Sequence, residues 1–67
     1  MNLLKEVYVA SFGSDETGDG SKENPFATLQ HGIDMAENKA EVCIEPDTSI
    51  LGVDFRNKQF SFRHWSK

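Results

Sequence analysis

One cysteine, Cys43, in a chain of 67 residues excludes an internal disulfide, and this constrains the fold more than any other feature. A polypeptide this short buries only about 60% of the surface its unfolded chain exposes, so most such chains lean on a disulfide, a metal or a partner for the remaining stability. With the disulfide excluded, the sequence points to one small domain that needs company. Only 37% of residues are apolar and mean hydropathy is -0.53, and no run approaches the roughly 18 apolar residues of a membrane span. The opening Met1-Asn2-Leu3-Leu4-Lys5-Glu6 meets charge at once and does not read as a secretory signal. The expectation is an intracellular chain without membrane contact.

Charge is unevenly placed. The formal net charge is -4, a sign that repels phosphate and argues against generic nucleic-acid binding. All 11 acidic residues lie between Glu6 and Asp54, accompanied there by Lys22 and Lys39 and preceded by Lys5, which leaves the body at -8. Residues 55–67 carry Arg56, Lys58, Arg63 and Lys67 against no acid, or +4, together with Phe55, Phe60, Phe62 and Trp65. A basic aromatic strip on an acidic body is a contact candidate, through Arg56, Lys58, Phe60, Phe62, Arg63 and Trp65. The same alternation also describes a half-buried strand whose side chains simply pack.

Local patterns divide the chain. Residues 5–11 alternate, with Val7 and Val9 on one face and Tyr8 and Ala10 on the other, and predict a strand. Residues 13–21 have no apolar member, and their glycines with Asp and Ser predict compact turns or a flexible loop. Asn24-Pro25 bars helix at Asn24, Thr28 is an N-cap, and Leu29, Ile33 and Ala36 at i, i+4 and i+7 predict a short helix to about Asn38, with Phe26 packed under its first turn. Gly32 weakens that helix by about 1 kcal/mol relative to Ala, a sign of close packing. Residues 41–45 predict a second strand with Val42 and Ile44 inward and Cys43 opposite, ended by Pro46-Asp47. Three short runs follow at 50–51, 53–55 and 60–64, separated by Gly52 and the turn-like Arg56-Asn57-Lys58-Gln59.

The order Val7-Tyr8-Val9, Gly13-Ser14-Asp15, Gly18-Asp19-Gly20-Ser21, Asn24-Pro25-Phe26-Ala27-Thr28-Leu29-Gln30, Ile33-Asp34-Met35-Ala36 and Val42-Cys43-Ile44-Glu45-Pro46-Asp47-Thr48 resembles the N-terminal cap and first coil of right-handed parallel β-helix proteins of the pectin-lyase-like superfamily. Val53 to Arg63 looks like the next coil. The resemblance spans residues 6 to 65 and implies a mostly β fold with one short helix: a truncated β-helix with a helical cap. It divides the chain into cap strand, glycine-rich loop, cap helix and first strand at 5–46, and a partial coil with the basic aromatic tail at 47–67. Two positions depart from the family, which usually has glycine where Asp47 stands and an aromatic where Ser49 stands. Asp tolerates a left-handed backbone, so it could keep such a turn. A weaker similarity covers about the first 30 residues, to the appended N-terminal domain of eukaryotic asparaginyl-tRNA synthetases, a tRNA-contacting module. That family continues into a lysine-rich helix, whereas this chain continues into the alternating run 60–64.

No catalytic constellation emerges. Lysine does not follow Gly18, so the loop is not a phosphate loop, and Glu23 occupies the third glycine position of a dinucleotide fingerprint. Asp15 and Asp19 are weak calcium candidates beside Glu16 and Glu23, in a spacing that matches no EF-hand. Cys43, His31 and His64 lack the paired spacings of a zinc site, and Cys43 between Val42 and Ile44 reads as a small buried hydrophobe rather than a nucleophile. No catalytic residue, metal or cofactor is assigned. A solenoid needs about three or more repeats, and one to two coils fit here after the cap, so the last coil should expose a strand edge and an apolar interior. The expected function is a non-catalytic structural or protein-binding module that docks on a protein partner or on its own copies. The alternatives are an RNA- or tRNA-associated accessory domain using Arg56, Lys58, Arg63, Trp65 and Lys67, and a fragment of a carbohydrate-active β-helix protein.

Overall fold

A computed structural model describes residues 3–66. Four elements follow in order: strand β1 at Leu4–Val9, helix α1 at Leu29–Met35, strand β2 at Ala36–Ile44 and strand β3 at Ser61–His64. The three strands form one sheet in the order β1-β2-β3, and both pairings are parallel. The chain is thus mostly β with one short helix. Residues 10–35, including α1, make the first return crossing, and residues 45–60 make the second without a helix.

Parallel register stacks the inward side chains in columns. Val7, Val42 and Phe62 form one, and Val9, Ile44 and His64 form the next. Successive side chains of a strand face opposite sides, so Tyr8, Cys43 and Arg63 form a column on the other face. α1 lies on the inner face, and its buried Leu29, Gly32 and Ile33 close over Val7, Val9, Ala36, Ala40 and Val42 with Phe26. Gly32 is required there: a Cβ at this position would stand 2.7 Å from Val9 Cγ2 and 3.1 Å from Val7 Cγ1.

The helix begins where its cap predicts. Thr28 is extended, and its hydroxyl accepts from the His31 N–H at 3.3 Å. It ends earlier than Asn38, because Ala36 is already extended and paired with Leu4. Tertiary contacts override the helical pattern. Lys58 Nζ donates to the carbonyl oxygens of Ala36 at 2.7 Å and Ile33 at 3.4 Å, supplying the cation that the last turn itself lacks. Between Leu4↔Ala36 and Glu6↔Glu41 the register shifts, so β2 carries extra residues that bulge, and Lys39 takes φ 71° within them. The bulge is held by Gln59: its carbonyl oxygen accepts from the Lys39 N–H at 2.6 Å, and its N–H donates to Asn38 Oδ1 at 2.8 Å.

The glycine-rich loop is structured rather than flexible. Asp15 Oδ1 accepts from the N–H groups of Ala27 and Thr28 at 2.8 and 3.0 Å, and Oδ2 accepts from the Thr28 hydroxyl at 2.6 Å. These bonds tie the loop to the start of α1. Of the three short runs after β2, the last alone forms a strand. Residues 50–51 are exposed and turn at Leu51-Gly52, while Asp54 is clamped to α1 by Gln30 through bonds of 2.8 and 3.0 Å. The turn after Pro46 needs no left-handed residue at Asp47, since the positive φ values outside glycine fall at Lys39, Arg56 and Asn57.

Candidate functional site

The two edges of the sheet differ. The Tyr8 N–H donates to the Gly20 carbonyl at 2.7 Å, the Phe26 N–H to the Tyr8 carbonyl at 3.0 Å, and the Ala10 N–H to the Phe26 carbonyl at 2.8 Å. The loop therefore supplies a fourth, irregular rung, with Val9 and Phe26 in a parallel bridge, and β1 is sealed along this stretch. β3 has β2 on one side and, among the described residues, no strand on the other. Its N–H groups alternate sides, and the Trp65 N–H points inward to the Ile44 carbonyl at 3.2 Å. By that parity the N–H and C=O of Phe62 and His64 face away from the sheet.

An apolar cluster adjoins this edge. Phe55, Phe60 and Phe62 meet edge-on or tilted at centroid separations of 5.9 to 6.4 Å. Phe60 packs against the core, but Phe62 is 49% exposed although it stands in the same inward column as fully buried Val7 and Val42. The column simply has no next member. Phe55 and Phe62 line a groove of about 470 Å³ with Leu29, Ile44, Thr48 and Ile50. Thr48 is 8% exposed, and its hydroxyl finds no hydrogen-bond partner among the described residues.

The remaining members of the basic aromatic strip have internal partners. Arg56 Nε lies 3.1 Å from Asp34 Oδ1, and Lys58 caps α1. Trp65 is half-buried: its indole N–H donates to the Val9 carbonyl at 3.1 Å, and its ring meets Tyr8 and Phe12 edge-on at 5.0 and 5.9 Å. Arg63 Nε stands 3.4 Å from Glu41 Oε1, with the side chain 61% exposed. The structure brings Phe60, Phe62 and Arg63 together at the open edge, turns Lys58 and Trp65 toward the fold, and leaves Arg56 exposed beside Asp34. Lys67 lies outside the described residues.

On the outer face, Glu6, Glu41 and Cys43 bring ligand atoms within 4.8 Å of one another. No sequence spacing announces this group, because parallel pairing assembles it across strands. Burial pushes the Cys43 thiol above its ordinary pKa; Arg63 opposes the rise, and Glu41 adds to it. A raised thiol and an arginine already on Glu41 make a poor cation trap, since a metal ligand must be the thiolate. His64 belongs to the other face of the sheet, so it is no base for Cys43. The calcium candidates act as turn formers: both Asp15 oxygens accept protein hydrogen bonds, and Asp19 Oδ1 accepts from the Ser21 N–H at 2.9 Å. Burial raises the Asp15 pKa, but the bonds from Thr28 and Ala27 outweigh it and hold the carboxyl below its ordinary value.

No protein-family model, curated protein or solved structure matches this chain. No described helix is long and apolar enough to cross a membrane.

Proposed function

We propose that this chain is a non-catalytic docking module: the capped beginning of a right-handed parallel β-helix whose last rung is completed by a strand from another polypeptide in a larger assembly. The asymmetry of the sheet carries this reading. One edge is closed by the chain's own loop, whereas the other leaves main-chain donors, acceptors and the half-exposed Phe62 facing outward. Exposed edges of this kind are templates for strand addition, and soluble proteins usually blunt them. The parallel stacking of β1, β2 and β3 into inward columns, with α1 packed on their inner face, supports the β-helix form. The inward turn of Lys58 and Trp65 weighs against RNA contact, since a cation and a ring already held by the fold offer less to phosphate and base.

Amide hydrogen exchange on the full chain tests the reading. The amides of Phe62 and His64 should exchange quickly in the dilute chain and become protected in its assembled state. Slow exchange at both positions in a monodisperse monomer would remove the basis for docking.

A further inference from the structure

We infer that the strand received at β3 is an acidic segment of a different polypeptide, running parallel to β3, with aliphatic side chains alternating into the groove beneath Phe62. This deepens the docking reading and rests on it. Three observations define the segment. The first is the inward column Val7–Val42–Phe62, whose next member must be apolar to cover the exposed half of the Phe62 ring. The groove beside it, about 470 Å³ and walled by Leu29, Ile44, Ile50, Phe55 and Phe62, receives whatever that strand turns inward. The second is the open edge itself: the outward N–H and C=O groups of Phe62 and His64 take main-chain partners, which distinguishes a docked polypeptide from a purely apolar filler.

The third observation is charge. Residues 55–66 hold Arg56, Lys58 and Arg63 and no acid. Arg63 stands on the outward face of the edge strand; its Nε lies 3.4 Å from Glu41 Oε1, but the side chain stays 61% exposed, so its remaining donors can take a second carboxylate. An acidic residue beside it in the added strand makes a favourable cross-strand pair, and a basic one a repulsive pair. A second copy of this chain is a poor occupant on the same ground, because pairing β3 with β3 sets one basic strip against another. Pairing β3 with β1 of another copy is blocked by the loop bonded to Tyr8 and Ala10. A small apolar ligand could fill the groove but would leave the edge groups of Phe62 and His64 unpaired.

The test uses the full chain and two synthetic peptides of about eight residues, strand-length segments, one alternating Val with Glu and one alternating Val with Lys. Binding is followed by amide exchange at β3 and by titration at low and high salt. The Val/Glu peptide should bind saturably, protect Phe62 and His64, weaken with salt, and exceed the Val/Lys peptide by about tenfold or more. Arg63→Glu should invert that preference, and Phe62→Asp should abolish binding of both. Equal affinity for the two peptides, or preference unchanged by Arg63→Glu, would overturn the acidic segment while leaving edge docking intact. Protection of β3 through dimerisation, with neither peptide bound, would replace the segment by a second copy. RNA binding lost in Arg63→Glu without peptide binding also overturns it. Protected β3 amides in the dilute monomer would overturn both this inference and the docking reading beneath it.

Discussion

Gly32→Ala puts two well-measured effects in opposition, and the packing geometry decides between them. Alanine in place of a helical glycine favours the helix by about 1 kcal/mol. Here the new methyl carbon would stand 2.7 Å from Val9 Cγ2 and 3.1 Å from Val7 Cγ1, against an attractive carbon–carbon separation of about 3.5 to 4.0 Å. Both neighbours are β-branched with stiff χ1 angles, and both are fully buried, so α1 must lift by several tenths of an ångström. Overpacking of this kind costs about 1 to 3 kcal/mol. The net expectation is a loss of about 1 kcal/mol, which for a domain of this size lowers Tm by about 4 to 8 °C. Urea and thermal unfolding followed by circular dichroism and by the emission of Trp65 measure it. The control is the same substitution in a Val9→Ala background, where only Val7 Cγ1 at 3.1 Å remains in the way and the loss should shrink or reverse. A rise in Tm for Gly32→Ala in the wild-type background, or an equal loss in both backgrounds, would refute the packing of α1 onto β1 as the reason for glycine at this position.

Two further outcomes follow from single contacts. Asp15→Asn should destabilise by about 1 to 2 kcal/mol, the scale of charge-assisted hydrogen bonds reduced for solvent exposure. Because the folded pKa of Asp15 is depressed, its contribution is fully present above the ordinary carboxyl value of 3.8 and lost as pH falls through the folded value, so urea midpoints of wild type and variant should converge in acid. Lys58→Met keeps the aliphatic stem and removes the cation from the Ile33 and Ala36 carbonyls; it should cost about 1 kcal/mol and speed amide exchange at Ala36, whereas an unchanged exchange rate would deny Lys58 its capping role.

The legible part of this fold is the part written locally. Alternation at Val7-Tyr8-Val9 and Val42-Cys43-Ile44 marks β1 and the paired half of β2, Thr28 marks the helix start, and Gly32 signals close packing by its cost to the helix. What sequence reasoning missed is written between distant residues. Nothing near Asn38 says that the chain leaves the helix at Ala36, since the reasons are Leu4 across the ladder and the Lys58 ammonium on the last carbonyls. The basic aromatic strip looks uniform along the chain, yet Ala36 and Val9 draw Lys58 and Trp65 inward, Asp34 and Glu41 pair with the exposed Arg56 and Arg63, and Phe62 is left at the rim. The Thr48 hydroxyl could not have been singled out either, because its burial depends on how residues 45–55 fold over Leu29 and Ile44.

If β3 docks a strand as proposed, the loop that bonds to Tyr8 and Ala10 makes the molecule monofunctional in the sense of polymer chemistry. A β unit with two receptive sides can propagate indefinitely, and the cross-β fibril is the limiting product. A unit with one side blocked can terminate a growing stack or seed it in a single direction. On the docking reading, opening the bonds of that loop to Tyr8 and Ala10 would turn a chain stopper into a monomer.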